Sequence, residues 1–134
     1  MKTHISLQTK NLTDSVRFYT TLLGATPAKR YDDYALFVTD EPGLELALNT
    51  AREVAAADAH YGIAVSSSDA VDAAISRFRA AELDVDIEVE ETCCYAKQNK
   101  AWVRDPDGRR WETYVVLEEV APEDAESCCT GACA

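Results

Sequence analysis

HYGIAVSSSDAVDAAISRF, residues 60–78, decides the fold. Its first seven residues alternate, with Tyr61, Ile63 and Val65 on one face and His60 on the other, the two-residue period of a strand. Ser67 or Ser68 then offers a helix cap, and Val71, Ala74, Ile75 and Phe78 recur at the spacing of one helical face. A strand therefore feeds directly into an amphipathic helix. Downstream, DVDIEVE (84–90), KAWVRD (100–105) and RRWETYVVLEE (109–119) read as three further strands, the last two joined by the turn DPDG (105–108). The order is β-α-β-β-β.

The N-terminal part repeats that order. HISLQT (4–9) alternates Ile5 and Leu7 against His4, Ser6 and Gln8. Thr13 or Asp14 can cap a helix carrying Val16, Phe18, Tyr19, Leu22 and Leu23, with Gly24 as its stop. TPAKRY, YALFVT and LELALN follow, separated by YDD and DEPG. The chain thus reads as an α+β domain over residues 1–117, built from two β-α-β-β-β modules at about 1–50 and 58–117. From residue 118 the composition changes: EEVAPEDAE holds five acids in nine residues, then SCCTGACA ends the chain. Residues 118–134 are expected to be an acidic, cysteine-containing flexible tail.

The 134 residues carry a net charge of −11, from 24 acidic and 13 basic side chains, so the summed field repels phosphate backbones and anionic membrane surfaces. Neither nucleic acid nor membrane is an expected partner. The opening MKTHISLQTK lacks the apolar core of a signal peptide, and no stretch approaches the roughly 20 apolar residues of a membrane span, which predicts a cytoplasmic protein. The five cysteines fall as Cys93–Cys94, Cys128–Cys129 and Cys133, an arrangement that cannot staple distant loops. They read as thiols available for chemistry.

Two such modules, each opening on a histidine, resemble the vicinal oxygen chelate superfamily, which includes glyoxalases, extradiol dioxygenases and fosfomycin-resistance proteins. The resemblance covers roughly residues 2–117. It implies a curved mixed sheet around a divalent metal, held by residues of the first and last strands of the modules. His4, His60 and Glu112 match those positions, and each alternates away from apolar neighbours that would pack under a helix. Counted from the turn glycines, Gly43 to Ala47 matches Gly108 to Glu112, so the fourth position is alanine. Two imidazoles and one carboxylate, with positions left open, suit non-haem Fe(II) better than a closed zinc site. Against this stands the ordinary reading of a strand-start histidine as a surface or hydrogen-bonding residue. Here, however, the chain's only two histidines occupy equivalent places in a repeat.

TCCY (92–95) adds a second chemistry. A regular strand would send adjacent cysteines to opposite faces, so a shared ligand requires a loop or an irregular strand end. A disulfide between neighbours closes only a strained ring. A thiophilic centre with two free valences, such as trivalent arsenic bearing one carbon substituent, fits the pair better. The segment TCCYAKQNKAWVRDPDGRRWE, with EPGLELALN and the opening histidine strand, closely resembles the carbon-arsenic lyases of this superfamily, a group also labelled cadmium-induced or arsenic-resistance proteins.

That resemblance implies Fe(II)- and dioxygen-dependent cleavage of trivalent organoarsenicals such as methylarsenite, releasing arsenite and formaldehyde. Cys93 and Cys94 match the arsenic-capturing pair, on a loop expected to swing toward the metal after capture. Lys97 and Lys100 flank the pair; surface lysine is their ordinary reading, and electrostatic support of thiolates the alternative. Tyr95, Gln98 and Asn99 are candidates to line the loop. Cys128, Cys129 and Cys133 are accessory thiols that either collect arsenite or take no part in turnover. Asp105 and Asp107 read as solvated or turn-bonded carboxylates rather than metal ligands, and Trp102 and Trp111 as core or pocket wall. Competing functions are thiol sequestration of cadmium or arsenite, and a dioxygenase of a carbon substrate. A homodimer is compatible with the resemblance, since family members build the metal concavity either within one chain or by exchanging modules.

Overall fold

The structure is a computed structural model that describes residues 1–55, 59–93 and 96–119. It divides the chain into two compact units, the first comprising Met1–Asp58 with Arg104–Arg109, the second Ala59–Val103 with Arg110–Ala134.

In the first unit, β1 (Thr3–Thr9) leads into α1 (Leu12–Leu23), then β2 (Lys29–Arg30), β3 (Tyr34–Thr39) and β4 (Leu44–Thr50). The sheet order is β1-β4-β3-β2, with β1 parallel to β4 and the other pairs antiparallel. Tyr19 and Leu22 of α1 are buried, as are Phe37, Leu46 and Leu48 of the sheet. Tyr19 meets Phe18 edge-on at 4.9 Å and Phe37 at 6.4 Å between ring centroids. Gly24 ends the helix with φ 63°, the left-handed conformation glycine adopts without steric cost.

The helix start differs from the sequence expectation. Asn11, not Thr13 or Asp14, is the cap: its side chain accepts a 3.0 Å hydrogen bond from the Asp14 backbone N–H. Asp14 instead sits in the first turn, where its charge favours the helix dipole. Thr13 accepts a 3.1 Å bond from the Arg30 guanidinium.

The 105–109 turn belongs to this first unit through Asp105, which is buried. Its Oδ1 accepts from the backbone N–H groups of Asp107 and Arg109 at 3.0 and 2.8 Å. Its Oδ2 accepts from the Tyr19 hydroxyl at 2.6 Å and from Arg109 Nη1 at 2.9 Å. Arg109 also donates to the Gln8 carbonyl at 2.5 Å. Burial opposes the guanidinium charge, but the hydrogen bond and charge of Asp105, with the charges of Tyr19 and Asp107, together more than offset it and raise the Arg109 pKa above its usual value. Of the two readings, the turn-bonded one holds for Asp105 and the solvated one does not, since its carboxylate is buried in hydrogen bonds and an ion pair.

In the second unit, β5 (Tyr61–Ala64) leads to α2 (Ser68–Ala80), β6 (Asp86–Cys93), β7 (Ala96–Arg104) and β8 (Arg110–Glu119), in sheet order β5-β8-β7-β6. Ser67 caps α2 by accepting from the Ala70 N–H at 3.1 Å, and the buried helix residues are Val71, Ala74, Ile75 and Phe78, as read from the sequence. Among the described residues no helix is long and apolar enough to cross a membrane.

β6 and β7 run further than their apolar residues suggest. Pairing continues through Thr92↔Lys97 to Cys93↔Ala96, because an antiparallel ladder bonds backbone to backbone whatever the side chains are. The register also slips: Glu88 pairs with Lys100, but Glu91 pairs with Gln98. One extra residue is therefore accommodated in β6 between them.

The registers also bear out the sequence repeat. In the first unit His4 lies two residues before Ser6, which pairs with Ala47 of β4. In the second, His60 lies two residues before Gly62, which pairs with Glu112 of β8. The modules are equivalent strand for strand at these positions.

Candidate metal centre

Glu112 is held on β8, 8 % exposed, in a chain stretch whose neighbours Trp111 and Thr113 are also buried. Its register partner is a glycine for a spatial reason. A Cβ on Gly62 would stand 3.0 Å from Glu112 Cγ, 3.3 Å from Oε1 and 3.2 Å from the Tyr114 ring. The missing side chain is the space the carboxylate occupies.

His60 sits immediately before β5, and its Nε2 lies 4.0 Å from Glu112 Oε1. The imidazole stands edge-on to the Trp102 ring at 5.2 Å and 74°. Trp102 is buried and so serves as a wall of the site; its Nε1 has no hydrogen-bond partner among the described residues. Lys100, on β7, is 1 % exposed, with Nζ 3.5 Å from the other carboxylate oxygen, Oε2. Its ammonium also lies 5.7 Å from the Trp102 ring centroid, within reach of a cation–π contact. The Arg110 guanidinium is placed 5.1 Å from the same ring.

In the first unit, His4 pairs in register with Glu45, and its Nδ1 lies 3.4 Å from Glu45 Oε1.

The chemistry of these donors fits a divalent ion. Two ligands bound at about 2.0–2.2 Å are about 3 Å apart when their bonds meet at right angles and at most about 4.4 Å apart. The 4.0 Å between His60 and Glu112 lies inside that span. Neutral imidazole and buried carboxylate are donors for a borderline metal, as in mononuclear iron sites.

Of the residues singled out from the sequence, His60 and Glu112 are therefore brought together, and His4 is placed beside Glu45 in the other unit. No three His, Cys, Asp or Glu side chains are gathered for a metal among the described residues. Cys93 is the last residue of β6. Cys94 and Tyr95, and the tail cysteines Cys128, Cys129 and Cys133, lie outside the described residues. Asn99 donates a 3.1 Å bond to Ser68 at the start of α2. Lys100, read beside the thiols, is directed instead at Glu112.

Three contributors escaped the sequence reading: Gly62, Glu45 and the Lys100–Glu112 contact. Gly62 could have been found by carrying the repeat two residues past each histidine. The other two depend on cross-strand register, which spacing along the chain does not reveal.

Residues 3–113 match the family model described as Glyoxalase/Bleomycin resistance protein/Dioxygenase superfamily. The trivalent organoarsenical cleaving enzyme of Bacillus sp. (strain MD1) is 39% identical over 132 residues, covering 94% of this chain and 81% of that protein. The cadmium-induced protein CadI of Mycobacterium bovis (strain ATCC BAA-935 / AF2122/97) is 34% identical over 142 residues, covering 97% and 93%. A crystal structure of a glyoxalase/bleomycin resistance protein/dioxygenase from Alicyclobacillus acidocaldarius superposes with a TM-score of 0.68 at 21% identity, covering 88% of this chain and 92% of that one. That last likeness is one of fold.

Proposed function

The chain belongs to the glyoxalase/bleomycin resistance protein/dioxygenase superfamily, and on that premise we propose that it cleaves the carbon-arsenic bond of trivalent organoarsenicals such as methylarsenite, releasing arsenite. The observation that carries the reading is the adjacent Cys93–Cys94 pair, in a chain 39% identical to a relative named for that cleavage. The His60–Glu112 pair supports a metal-dependent reaction.

His4, His60 and Glu112 would hold Fe(II). Bound there, the ion supplies open positions and redox chemistry with dioxygen. The protein's own part begins with the thiols. Cys93 and Cys94 form two As–S bonds as the two arsenic-bound hydroxyls leave as water, and the carbon substituent stays on arsenic. Capture thus converts a free substrate into a tethered one, which removes most of the entropic cost of orienting it. Trp102 walls the His60 side and limits water there. Atoms balance without an outside reductant: methylarsenite and one dioxygen contain the same atoms as arsenous acid and formaldehyde.

Aerobic incubation of methylarsenite with the protein and Fe(II), followed by arsenic speciation and formaldehyde assay, tests the proposal. Equal yields of arsenite and formaldehyde are expected, and none without oxygen. Thiol sequestration is the second reading, favoured by the three further cysteines at residues 128, 129 and 133. It predicts equal arsenic retention with and without oxygen and no formaldehyde.

A further inference from the structure

We propose that Lys100 is a positioning residue of the metal centre, holding Oε2 of Glu112 so that Oε1 alone is offered to the metal. The inference rests on the metal part of the proposed function, and on neither arsenic nor the thiols.

The two oxygens of Glu112 have different neighbours. Oε1 faces His60 Nε2 at 4.0 Å, and Oε2 faces Lys100 Nζ at 3.5 Å. On its β5 side the carboxylate fills the space left by Gly62, whose Cβ would come within 3.3 Å of Oε1. The side chain is thus confined by a glycine on one strand and an ammonium on another.

The placement of Lys100 is itself unusual. An ammonium has three donors and no acceptor, and holding it at 1 % exposure is unfavourable unless an anion compensates it. Glu112 supplies that anion, and the Trp102 ring supplies a further cation-binding face at 5.7 Å. Glu88, its register partner on β6, is a second acid, with Oε2 buried and lacking a hydrogen-bond partner among the described residues. The ammonium is therefore committed to the side of the sheet that carries Glu112 and Trp102, and its charge bears on the oxygen that does not face His60.

The consequence is coordinative. An unrestrained carboxylate can bind a metal through both oxygens. One whose second oxygen is engaged by an ammonium binds through one, which leaves a position open for an external ligand. Lys100 thereby preserves the open position that the chemistry requires.

The test uses full-length protein loaded with Co(II), whose visible absorption weakens as coordination number rises. Imidazole serves as a neutral external ligand, so that loss of the lysine charge does not itself change its binding. In Lys100→Met we expect weaker visible bands and at least tenfold weaker imidazole binding, with Lys100→Arg close to the parent. Lys100→Gln, which retains an amide donor, is the alternative should the Met variant fail to give the far-ultraviolet circular dichroism of the parent. Parent-like spectra and imidazole affinity in the folded Met or Gln variant overturn the role of Lys100 while leaving the metal centre intact. Failure of the parent protein to bind Co(II) overturns the metal centre itself, and with it this inference.

Discussion

Gly62 is the residue whose replacement tests the site most locally. An alanine Cβ there would press on the Glu112 side chain from 3.0 Å, and the carboxylate must shift to admit it. Gly62→Ala should therefore weaken Co(II) or Fe(II) binding by about 10–100-fold, the usual cost of disturbing a group that orients a ligand. Metal titration measures it, and a parent-like affinity would remove the glycine from the account. At the same scale, Cys93→Ser or Cys94→Ser should abolish arsenite release, whereas Glu112→Ala should stop release and leave arsenic capture by the thiols largely intact. Arsenic retained per protein after gel filtration, set beside arsenite formed, separates the two classes. The candidate ligand Glu112 was legible because strand alternation and a repeat both point at it. Lys100 was not, since a lysine between asparagine and alanine reads as surface until the neighbouring strand places an acid against it.

The element most sharply defined by polar contacts is the 105–109 turn, where the carboxylate of Asp105 accepts four hydrogen bonds. Asp105→Ala leaves the Arg109 guanidinium without its principal anion and the Tyr19 hydroxyl without its acceptor. A loss of about 3–5 kcal/mol is expected, the range for breaking a buried pair from one side. Tyr19→Phe should cost less, about 1–3 kcal/mol. Urea unfolding monitored by circular dichroism gives both values, and equal effects would argue against the ion pair as the larger contribution. DPDG was readable as a turn from its residues alone, but its tie to Tyr19, 86 positions earlier, was not. Helix α2 was readable throughout, because Val71, Ala74, Ile75 and Phe78 keep one stripe and Ser67 precedes it. The ends of β6 and β7 were not, because Glu91 and Thr92 contribute to the ladder through their backbones and carry no apolar alternation.

For the molecule as a whole, each unit has its own apolar interior, centred on Tyr19, Phe37 and Leu46 in the first and on Phe78, Val103 and Trp111 in the second. Folding then does not await a metal, and a chelator should stop turnover without unfolding the chain. Metal binding should add stability by mass action, about 2.7 kcal/mol at a free concentration one hundred times the dissociation constant. Thermal melts with and without Co(II) measure the increment, and His60→Ala should erase most of it. The duplicated order of elements was legible in the sequence because both modules keep a histidine at the start, a helix next and a turn before the last strand. The division into units was less so, since residues 104–109 lie late in the second module yet belong to the first unit through contacts distant in sequence.

The slip in β6 also has a meaning for chain length. Continued without it, the pairing Glu88↔Lys100 would match Cys93 with Tyr95 and leave a single residue to reverse the chain, one fewer than the shortest common hairpin connection. With it, Cys93 pairs with Ala96 and two residues remain between the strands. Cys93, the first thiol residue, is the last of β6 and the last to pair with β7. The extra residue thus acts as a phase shifter. Deleting Val89 should make the ladder continuous from Glu88↔Lys100 to Cys93↔Ala96 and leave the register of Cys93 unchanged, and an insertion in the 81–85 loop, outside the ladder, should be tolerated as well.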